Sequence, residues 1–312
     1  MMHTTKGRLF TLTANVAPRI IYRDQADWSV FKDAIEANPT TPLMDPENPA
    51  RYYNFQGQVV GSNPVERQKL EKDHGDTKLL DWDGTVKLNL LPLLLKDGKG
   101  NHNLSTQVMF ADHQYDNNTS WFRPSTSTIC INNGHDGEAS RSYSKERQYV
   151  LEWLTNYTGT FGKHNVKGMA GYSYQYSQYE GLNNENKDFP NDGLSYNNMG
   201  TGEYAKEEGK VLMGSYKNDA KLIAFFGRVS YDFDGKYMLT ASLRHEGSSK
   251  FGVDNKWGNF PAVSAGWRIS QESFLQDVKW INDLKLRADY GVTGNQDFGS
   301  YLSINPMSGF GY

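Results

Sequence analysis

Residues 223–233 read IAFFGRVSYDF, and their side chains alternate between two chemical classes. The odd positions are apolar or aromatic apart from one glycine, whereas the even positions include an arginine, a serine and an aspartate. Because successive side chains of a strand point to opposite faces, the pattern predicts a β-strand with one apolar and one polar face. Asp234-Gly235 follows and favours a two-residue type I′ turn. Residues 237–244, YMLTASLR, then resume the alternation, so the stretch predicts an antiparallel hairpin.

The same alternation recurs along the rest of the chain. Nine segments show it: 10–16, 80–90, 104–110, 149–157, 166–176, 223–233, 237–243, 263–269 and 284–292. There is room for a tenth after Ser300. Half-polar segments of this kind, separated by turn-forming residues, are typical of antiparallel sheets. The predicted fold class is therefore all-β, with about nine or ten antiparallel strands.

The composition excludes several classes of protein. Among 312 residues, 33 are Lys or Arg and 36 are Asp or Glu, so the chain lacks the basic excess of a nucleic-acid-binding protein. A single cysteine, Cys130, excludes a disulfide framework and a multi-thiolate metal site. No run of 18 apolar residues is present, which excludes a transmembrane helix. A membrane-spanning strand needs only ~9–11 alternating residues, and many segments here meet that requirement.

The connections between the predicted strands alternate in length. Long polar connections cover 23–76, 112–144 and 181–220, and short ones cover 96–101, 159–163 and 234–236. Outer-membrane barrels have this asymmetry, with long loops at one end and tight turns at the other. Aromatic residues near the strand ends suit the girdles of such a barrel. Soluble antiparallel sheets also alternate apolar and polar residues. A soluble β-rich glycan-binding or glycoside-processing protein therefore remains as the alternative to a transmembrane β-barrel.

Several blocks of the second half carry a family resemblance. They are AFFGRVSY at 224–231, KYMLTASLR at 236–244, GSSKFG at 247–252, WGNFPAVSAGWRIS at 257–270 and LKLRADYGVTGNQ at 284–296. In this order they closely resemble the barrel of SusC/RagA-type TonB-linked outer-membrane transporters. Residues 38–40, NPT, and 63–67, NPVER, are two weaker marks of the same family. The resemblance is strong over about 221–301 and extends the barrel interpretation to the whole chain.

The resemblance implies a function and a set of partners. It implies energised uptake of oligomeric nutrients, glycans or peptides, across the cell outer membrane. It also implies contact with outer-membrane lipid, a SusD-like surface lipoprotein at the mouth, and a TonB complex engaged by an N-terminal part. Members carry a signal peptide, a small N-terminal domain and a plug, none of which is recognisable in 1–312. The expected domain organisation is thus a partial barrel over 1–312, incomplete at both ends.

Residues that could perform chemistry are sparse. The seven histidines never occur at metal-ligand spacing. Asp81 and Asp83 flank Trp82 and point to one face of a strand, so a glycosidase-like carboxylate pair is conceivable. Hydrogen bonding inside a barrel is the better interpretation, because nothing nearby supplies the environment that a catalytic carboxylate needs. The sequence therefore predicts no enzyme, no cofactor and no metal.

Candidate ligand contacts lie in the two later long connections. The aromatic and basic residues that stand out there are Tyr115, Trp121, Phe122, Arg123, Tyr196 and Tyr204. Exposed aromatic rings beside Asn and Asp could stack on sugar rings or accept peptide side chains. Packing of one loop against another is the alternative role. In the first long connection, 27–37 has helical spacing, and Trp28 and Phe31 are expected to anchor that loop.

Overall fold

The computed structural model describes residues 2–6, 9–24, 28–58, 60–91, 101–210, 212–275 and 280–301. Its main feature is one sheet in which all neighbouring strands are antiparallel and stand in chain order. The strands are β1 (Met2–Lys6), β2 (Phe10–Asp24), β3 (Lys72–Asn89), β4 (His102–Arg123), β5 (Glu138–Phe161), β6 (His164–Lys187), β7 (Met213–Phe233), β8 (Tyr237–Ser248), β9 (Trp257–Arg268) and β10 (Lys285–Gly291). This simple up-and-down order is that of a barrel wall.

All nine predicted strands are confirmed, as β2 to β10. The additional strand, β1, pairs with the start of β2 and was not predicted, because five residues are too few to show a period of two. The predicted turn at 96–101 and the tenth strand after Ser300 fall largely outside the described residues. Asp234 and Gly235 have φ of 55° and 68°, the left-handed values that a type I′ turn requires, so the predicted hairpin is confirmed.

The register places apolar side chains on one face across six neighbouring strands. One row of paired residues consists of Leu12, Val86, Val108, Trp153, Tyr172 and Phe225. We call this face the outer face. The opposite, inner face carries polar groups, and Asn15 donates to Asp83 at 2.9 Å while His113 hydrogen-bonds Asp81. These bonds agree with the predicted hydrogen-bonding role of the two aspartates.

Aromatic rings mark the two borders of the apolar band on the outer face. The upper border contains Trp82, Tyr149 and Tyr176, the last two stacked at 6.0 Å, and the lower border contains Phe161, Phe233 and Tyr237. On β5 the borders are at 149 and 161, twelve residues apart. At ~3.3 Å per residue and a tilt of ~35–45°, this distance projects to roughly 30 Å. That height equals the hydrocarbon thickness of a bilayer.

The strands continue far above the upper border, which corrects one expectation. The connection predicted over 112–144 is a loop only between Arg123 and Glu138, because β4 and β5 extend to those residues. Tyr115, Trp121, Phe122 and Arg123 therefore lie on β4 and not in a loop. Alternation is visible only where one face meets an apolar medium. Above that level both faces are polar, and the backbone ladder continues without a sequence signal.

Short helices occur in the connections. They are α1 (Trp28–Glu36), α2 (Pro64–Leu70) and α3 (Thr128–Asn133). The predicted helix over 27–37 is confirmed as α1, but the expected anchors are wrong: Trp28 and Phe31 are exposed, and Val30 is the buried residue. Within the described part of the chain, no helix has the length and hydrophobicity needed to cross a bilayer.

The outer face yields a direct test of membrane contact. We expect spin labels at eight outer-face positions to be quenched by lipid-soluble and not by water-soluble reagents. The positions are Phe225, Val229, Leu239, Leu243, Val263, Trp267, Leu286 and Tyr290, all at least 36% exposed. Labels at Ser230 and Thr240, on the inner face, are the matched controls and should show the opposite preference. Quenching of the outer set from water would refute the membrane assignment.

Candidate binding site at the rim

Three connections meet at one end of the sheet, which we call the rim. They are 25–71 after β2, 124–137 after β4 and 188–212 after β6. In an antiparallel up-and-down sheet, connections that follow alternate strands share one end. The opposite end carries the tight turns, including Asp234–Gly235. The rim therefore gathers most of the irregular chain, where binding residues usually lie.

The NPVER segment builds the centre of the first connection. The Asn63 side chain caps α2 by accepting from the Val65 and Glu66 amides at 3.1 and 3.3 Å, and Pro64 occupies the first turn. Asn63 Nδ2 also donates to the Leu43 carbonyl at 3.1 Å, which ties the preceding loop to the helix. The cap thus sets the position of the last two residues of the motif, Glu66 and Arg67.

Glu66 joins the first connection to the second. Its side chain is fully buried and accepts from the Thr128 amide at 2.7 Å and from the Thr128 hydroxyl at the start of α3. Burial raises the pKa of the Glu66 carboxyl, and the two bonds from Thr128 oppose that rise. Beside it, Cys130 is buried and its pKa is raised to about 12, so the thiol is inert.

A chain of ion pairs runs from the first connection across the wall. Its members, in order, are Asp33, Arg67, Glu71, Arg123, Glu138 and Lys187, with successive N–O distances of 2.9, 3.3, 2.8, 2.9 and 3.0 Å. The central carboxylates and guanidinium groups are nearly buried. Buried charges persist only when they are paired, so the chain fixes the rim loops to β4, β5 and β6.

A small apolar cluster lies beside the ion pairs. Phe122, Ala139 and Phe189 are buried together, and Tyr196 and Met199 of the third connection pack against them. Phe122 is 2% exposed. Its ring holds the 188–212 connection on the wall and offers no surface to a ligand in this conformation.

A cavity of about 420 Å³ opens at the rim between the first connection and β3–β4. Trp121 and Tyr196 line it, together with charged groups that include Arg67, Glu71 and Lys72. The guanidinium of Arg123 stacks on the Trp121 ring at 4.7 Å and holds its orientation. An aromatic wall facing fixed charges is suited to a polar ligand with flat apolar patches, as sugar rings and peptides have.

The structure brings together only part of the predicted set. Trp121 and Tyr196 share the cavity, and Arg123 and Phe122 support it from outside. Tyr204 lies apart, with Lys210 Nζ 4.4 Å above its ring. Tyr115 is farther down β4 on the inner face, in register with Glu146. Sequence reasoning missed Arg67 and Glu71 as cavity residues, although NPVER had marked this segment.

In the described ranges, no three His, Cys, Asp or Glu side chains are grouped closely enough to hold a metal ion. The charged groups pair with one another, and the one thiol is inert. The arrangement can bind and orient a ligand.

Burial of the Glu66 carboxyl should make the local stability of the rim depend on pH. The folded pKa of Glu66 lies above the ordinary value of 4.5, so its stabilising contribution is complete below that value and is lost as pH rises through the folded pKa. We expect the Thr128 amide, after correction for intrinsic rates, to be better protected from hydrogen exchange below pH 4.5 than at neutral pH. Glu66→Gln should remove the difference, and an unchanged profile in that variant would contradict this assignment.

An apolar band as high as a bilayer, a polar inner face and loops collected at one rim define the wall of a transmembrane β-barrel. The family model described as "TonB dependent receptor-like, beta-barrel" matches residues 14–311, and the chain belongs to this family. The family consists of receptors and transporters, not enzymes, and is typically found in the outer membrane. The resemblance to SusC/RagA-type proteins is confirmed, and the soluble alternative is discarded.

Curated relatives share the sequence over most of this chain. TonB-dependent receptor P39 of Formosa agariphila is 42% identical over 283 residues, which cover 88% of this chain and 25% of the relative. TonB-dependent receptor SusC of Bacteroides thetaiotaomicron is 25% identical and covers 98% of this chain and 32% of the relative. The chain thus spans a quarter to a third of these proteins.

Solved structures show the same fold. The RagAB peptide importer in its open-open state superimposes with a TM-score of 0.76 at 20% identity, over 96% of this chain and 32% of that one. The closed-closed state gives a TM-score of 0.72 at 19% identity. The ten strands of this chain superimpose on about a third of that importer chain, which agrees with an incomplete barrel.

Proposed function

We propose that this chain forms barrel wall in an outer-membrane importer of oligomeric nutrients, either glycans or peptides. The observation that carries the proposal is the band of outer-face side chains as high as a bilayer, on a sheet whose inner face is polar. Family membership supports it. The structural neighbour described as a peptide importer supports peptides as one substrate class. Glycans, the other class, follow from the resemblance to SusC/RagA-type transporters.

In this proposal the rim faces the outside of the cell and the Asp234–Gly235 turn faces the periplasm. Long loops of outer-membrane barrels are extracellular, and their tight turns are periplasmic. A SusD-like lipoprotein would cover the rim, and the TonB complex would act through parts of the receptor beyond this wall. The ion-pair chain from Asp33 to Lys187 supports contact with the lipoprotein, because it holds the rim loops in a fixed position on which a partner or ligand can bind.

The proposed substrate contacts are Trp121 and Tyr196 in the cavity. Tyr115 and Tyr204, which lie outside the cavity, are proposed as further contacts for a longer substrate. Arg123 acts through Trp121, whose ring it holds, and Phe122 acts through packing. Aromatic rings that stand free on one side can stack on a sugar ring or on a peptide side chain, while fixed charges bind the polar groups around it. The cavity would select a short segment of a longer chain.

Alanine substitutions in the cavity test this site. We expect Trp121→Ala and Tyr196→Ala each to weaken ligand binding by about tenfold, since a buried aromatic contact contributes about 1–2 kcal/mol. Titration of the full-length receptor with defined glycan and peptide panels measures the loss. Tyr22→Ala, an exposed aromatic on the outer face of β2, is the matched control and should bind normally. Unchanged binding in both cavity variants would return the two rings to a packing role.

A further inference from the structure

Basic side chains of β5 and β7 lie on the outer face just above the upper aromatic border. They are Lys145, Arg147, Lys217 and Lys221, which we call the basic patch. Lys221 is in the same row of the sheet as Tyr149 and Tyr176, and the other three lie two to four residues higher. At ~3.3 Å per residue and the strand tilt of a barrel, all four are within roughly 10 Å of the apolar band. This is the level of the lipid headgroups.

The basic patch contains more cations than its carboxylates can neutralise. Glu180 lies between Lys145 and Lys217, and its oxygens are 3.8 and 3.0 Å from their Nζ atoms. Among the residues that the structure describes, neither Arg147 nor Lys221 makes an ion pair. Charged groups at the membrane interface are stabilised by counter-charges there, so the two free cations indicate an anionic ligand from outside the chain.

The carboxylates around the patch already have partners. The donors are the Tyr301 hydroxyl for Asp219, Trp82 Nε1 for Asp112 at 3.0 Å and the Tyr143 hydroxyl for Asp116 at 2.9 Å. The tight turns at the opposite end of the sheet differ from the patch. There Lys163 pairs with Asp234 at 2.8 Å and Lys236 pairs with Glu272 at 3.6 Å. The unpaired charge of the basic patch is thus a feature of the end nearer the rim.

An apolar groove of about 770 Å³ lies on the outer face below the patch. Ala170, Gly227 and Ala241 form its floor, and larger apolar side chains such as Phe225 and Leu243 line it. A Cβ atom at Gly227 would have only a backbone carbonyl within 4 Å, at 3.5 Å, so no side chain fills the floor there. The upper end of the groove, at Phe225, is four residues below the row of the patch that lies on the border. An acyl chain in the groove would therefore end at the patch.

Aromatic rings lie between the groove and the patch. Four of them form a ladder along the upper border, with successive ring centres 5.3, 6.2 and 6.0 Å apart: Trp82, Phe110, Tyr149 and Tyr176. Lys221 Nζ is 6.0 Å from the centre of the Tyr176 ring. Rings with an apolar face and a polar edge are suited to the boundary between acyl chains and a sugar headgroup.

We propose that the basic patch and the groove bind lipid A, the acylated and phosphorylated glucosamine disaccharide of the outer leaflet. Arg147 and Lys221 donate charge-assisted hydrogen bonds to its phosphate oxygens, and one acyl chain lies in the groove. β5 and β7 are two strand spacings apart, ~10 Å, so their cations can bind phosphates at opposite ends of a disaccharide. The proposal rests on the orientation proposed above, in which the rim faces the outside of the cell.

Native mass spectrometry of the delipidated full-length receptor tests the lipid site. The probes are lipid A, the same molecule without its phosphates, and dimyristoyl phosphatidylglycerol. We expect lipid A to bind at least tenfold more tightly than either of the other two. Arg147→Gln with Lys221→Gln should weaken lipid A binding by about 25-fold, at roughly fivefold for each cation.

Three further variants support the comparison. Lys163→Gln with Lys236→Gln removes two cations from the opposite end of the wall, so lipid A binding should stay normal. Arg147→Lys with Lys221→Arg keeps both charges and should retain most of the affinity. Gly227→Phe places a ring in the groove where a Cβ atom has room, and it should weaken lipid A binding severalfold. Heat-modifiable gel mobility shows that each variant is folded.

Three results overturn the proposal. They are equal affinity for the dephosphorylated lipid, equal affinity for phosphatidylglycerol, and unchanged lipid A binding when Arg147 and Lys221 are both Gln. Lipid binding is measured without transport. Loss of uptake with normal lipid A binding would therefore fault the importer function, whereas normal uptake without lipid A binding would fault the lipid site.

The orientation has a measurement of its own. Asn191→Cys, an exposed rim position, should react with a membrane-impermeant maleimide on whole cells. Cys130 is buried and should not react. Labelling only after the cells are opened would place the rim in the periplasm and would overturn the outer-leaflet site.

Discussion

Leu243→Arg is expected to destabilise the barrel by about 2–4 kcal/mol, the cost of placing a cation on the lipid face at the bilayer midplane. Leu243 is 51% exposed on the outer face and pairs with Gly227. Gly227 is six residues from Lys221 in the upper aromatic row and six from Phe233 in the lower one, so the pair lies at mid-height. Urea unfolding of the full-length receptor in lipid vesicles, followed by heat-modifiable gel mobility, measures the change.

The neighbouring residue supplies the control for this substitution. Ser242 is on the inner face, in register with Arg228 and adjacent to Arg244. Ser242→Arg introduces the same side chain at the same height into a wet interior that already holds arginines, so its effect should stay below about 1 kcal/mol. Equal losses in the two variants would show that the two faces have been assigned wrongly.

Arg123→Met is expected to release the rim from the wall. Arg123 contacts Glu71 at 2.8 Å and Glu138 at 2.9 Å, and all three side chains are at most 13% exposed. Removing one member of a buried ion pair leaves uncompensated charge and costs about 3–5 kcal/mol. Amide exchange over 64–70 should therefore accelerate by roughly 10²–10⁴, the rate factor that this energy gives for local opening.

A surface ion pair provides the comparison. Lys206 and Glu203 are 2.6 Å apart, but both side chains are more than half exposed. Because solvent screens such a pair, Lys206→Ala should leave exchange at the rim unchanged. Arg123→Lys keeps the charge and loses the two-sided geometry of the guanidinium, so an intermediate acceleration is expected. Normal protection in Arg123→Met would show that the cluster at Phe122 alone holds the loops.

Local periodicity determined most of the wall. Side chains toward lipid must be apolar and side chains toward water can be polar. Successive residues of a strand face these two sides in turn, so segments such as 223–233 alternate with a period of two. The turn at Asp234–Gly235 could also be predicted from the sequence, since only a few residue types tolerate positive φ at both central positions of the turn. The family resemblance extended these local inferences to the order of the strands and to the class of protein.

The rim was decided by tertiary structure. Above the membrane both faces of a strand are polar, so nothing in the sequence signalled that β4 continues through Tyr115 to Arg123. Phe122 and Trp121 look alike in sequence, yet one is buried under the 188–212 connection and the other lines the cavity. The partners of Arg123 come from positions 52 and 15 residues away. No local pattern encodes such pairings.

The same distinction applies to charge. The inner face carries ionised groups of both signs, such as Asp83 and Lys87 on β3 and Arg287 and Asp289 on β10. Registration of the strands decides which side chains lie next to one another, and it places Lys167 opposite Ser230 and Arg228 opposite Met169. The sequence by itself determined which face each group occupies, because the face follows from parity. Only the sheet decided which charges share a level, because level depends on the stagger between strands that are far apart in the chain.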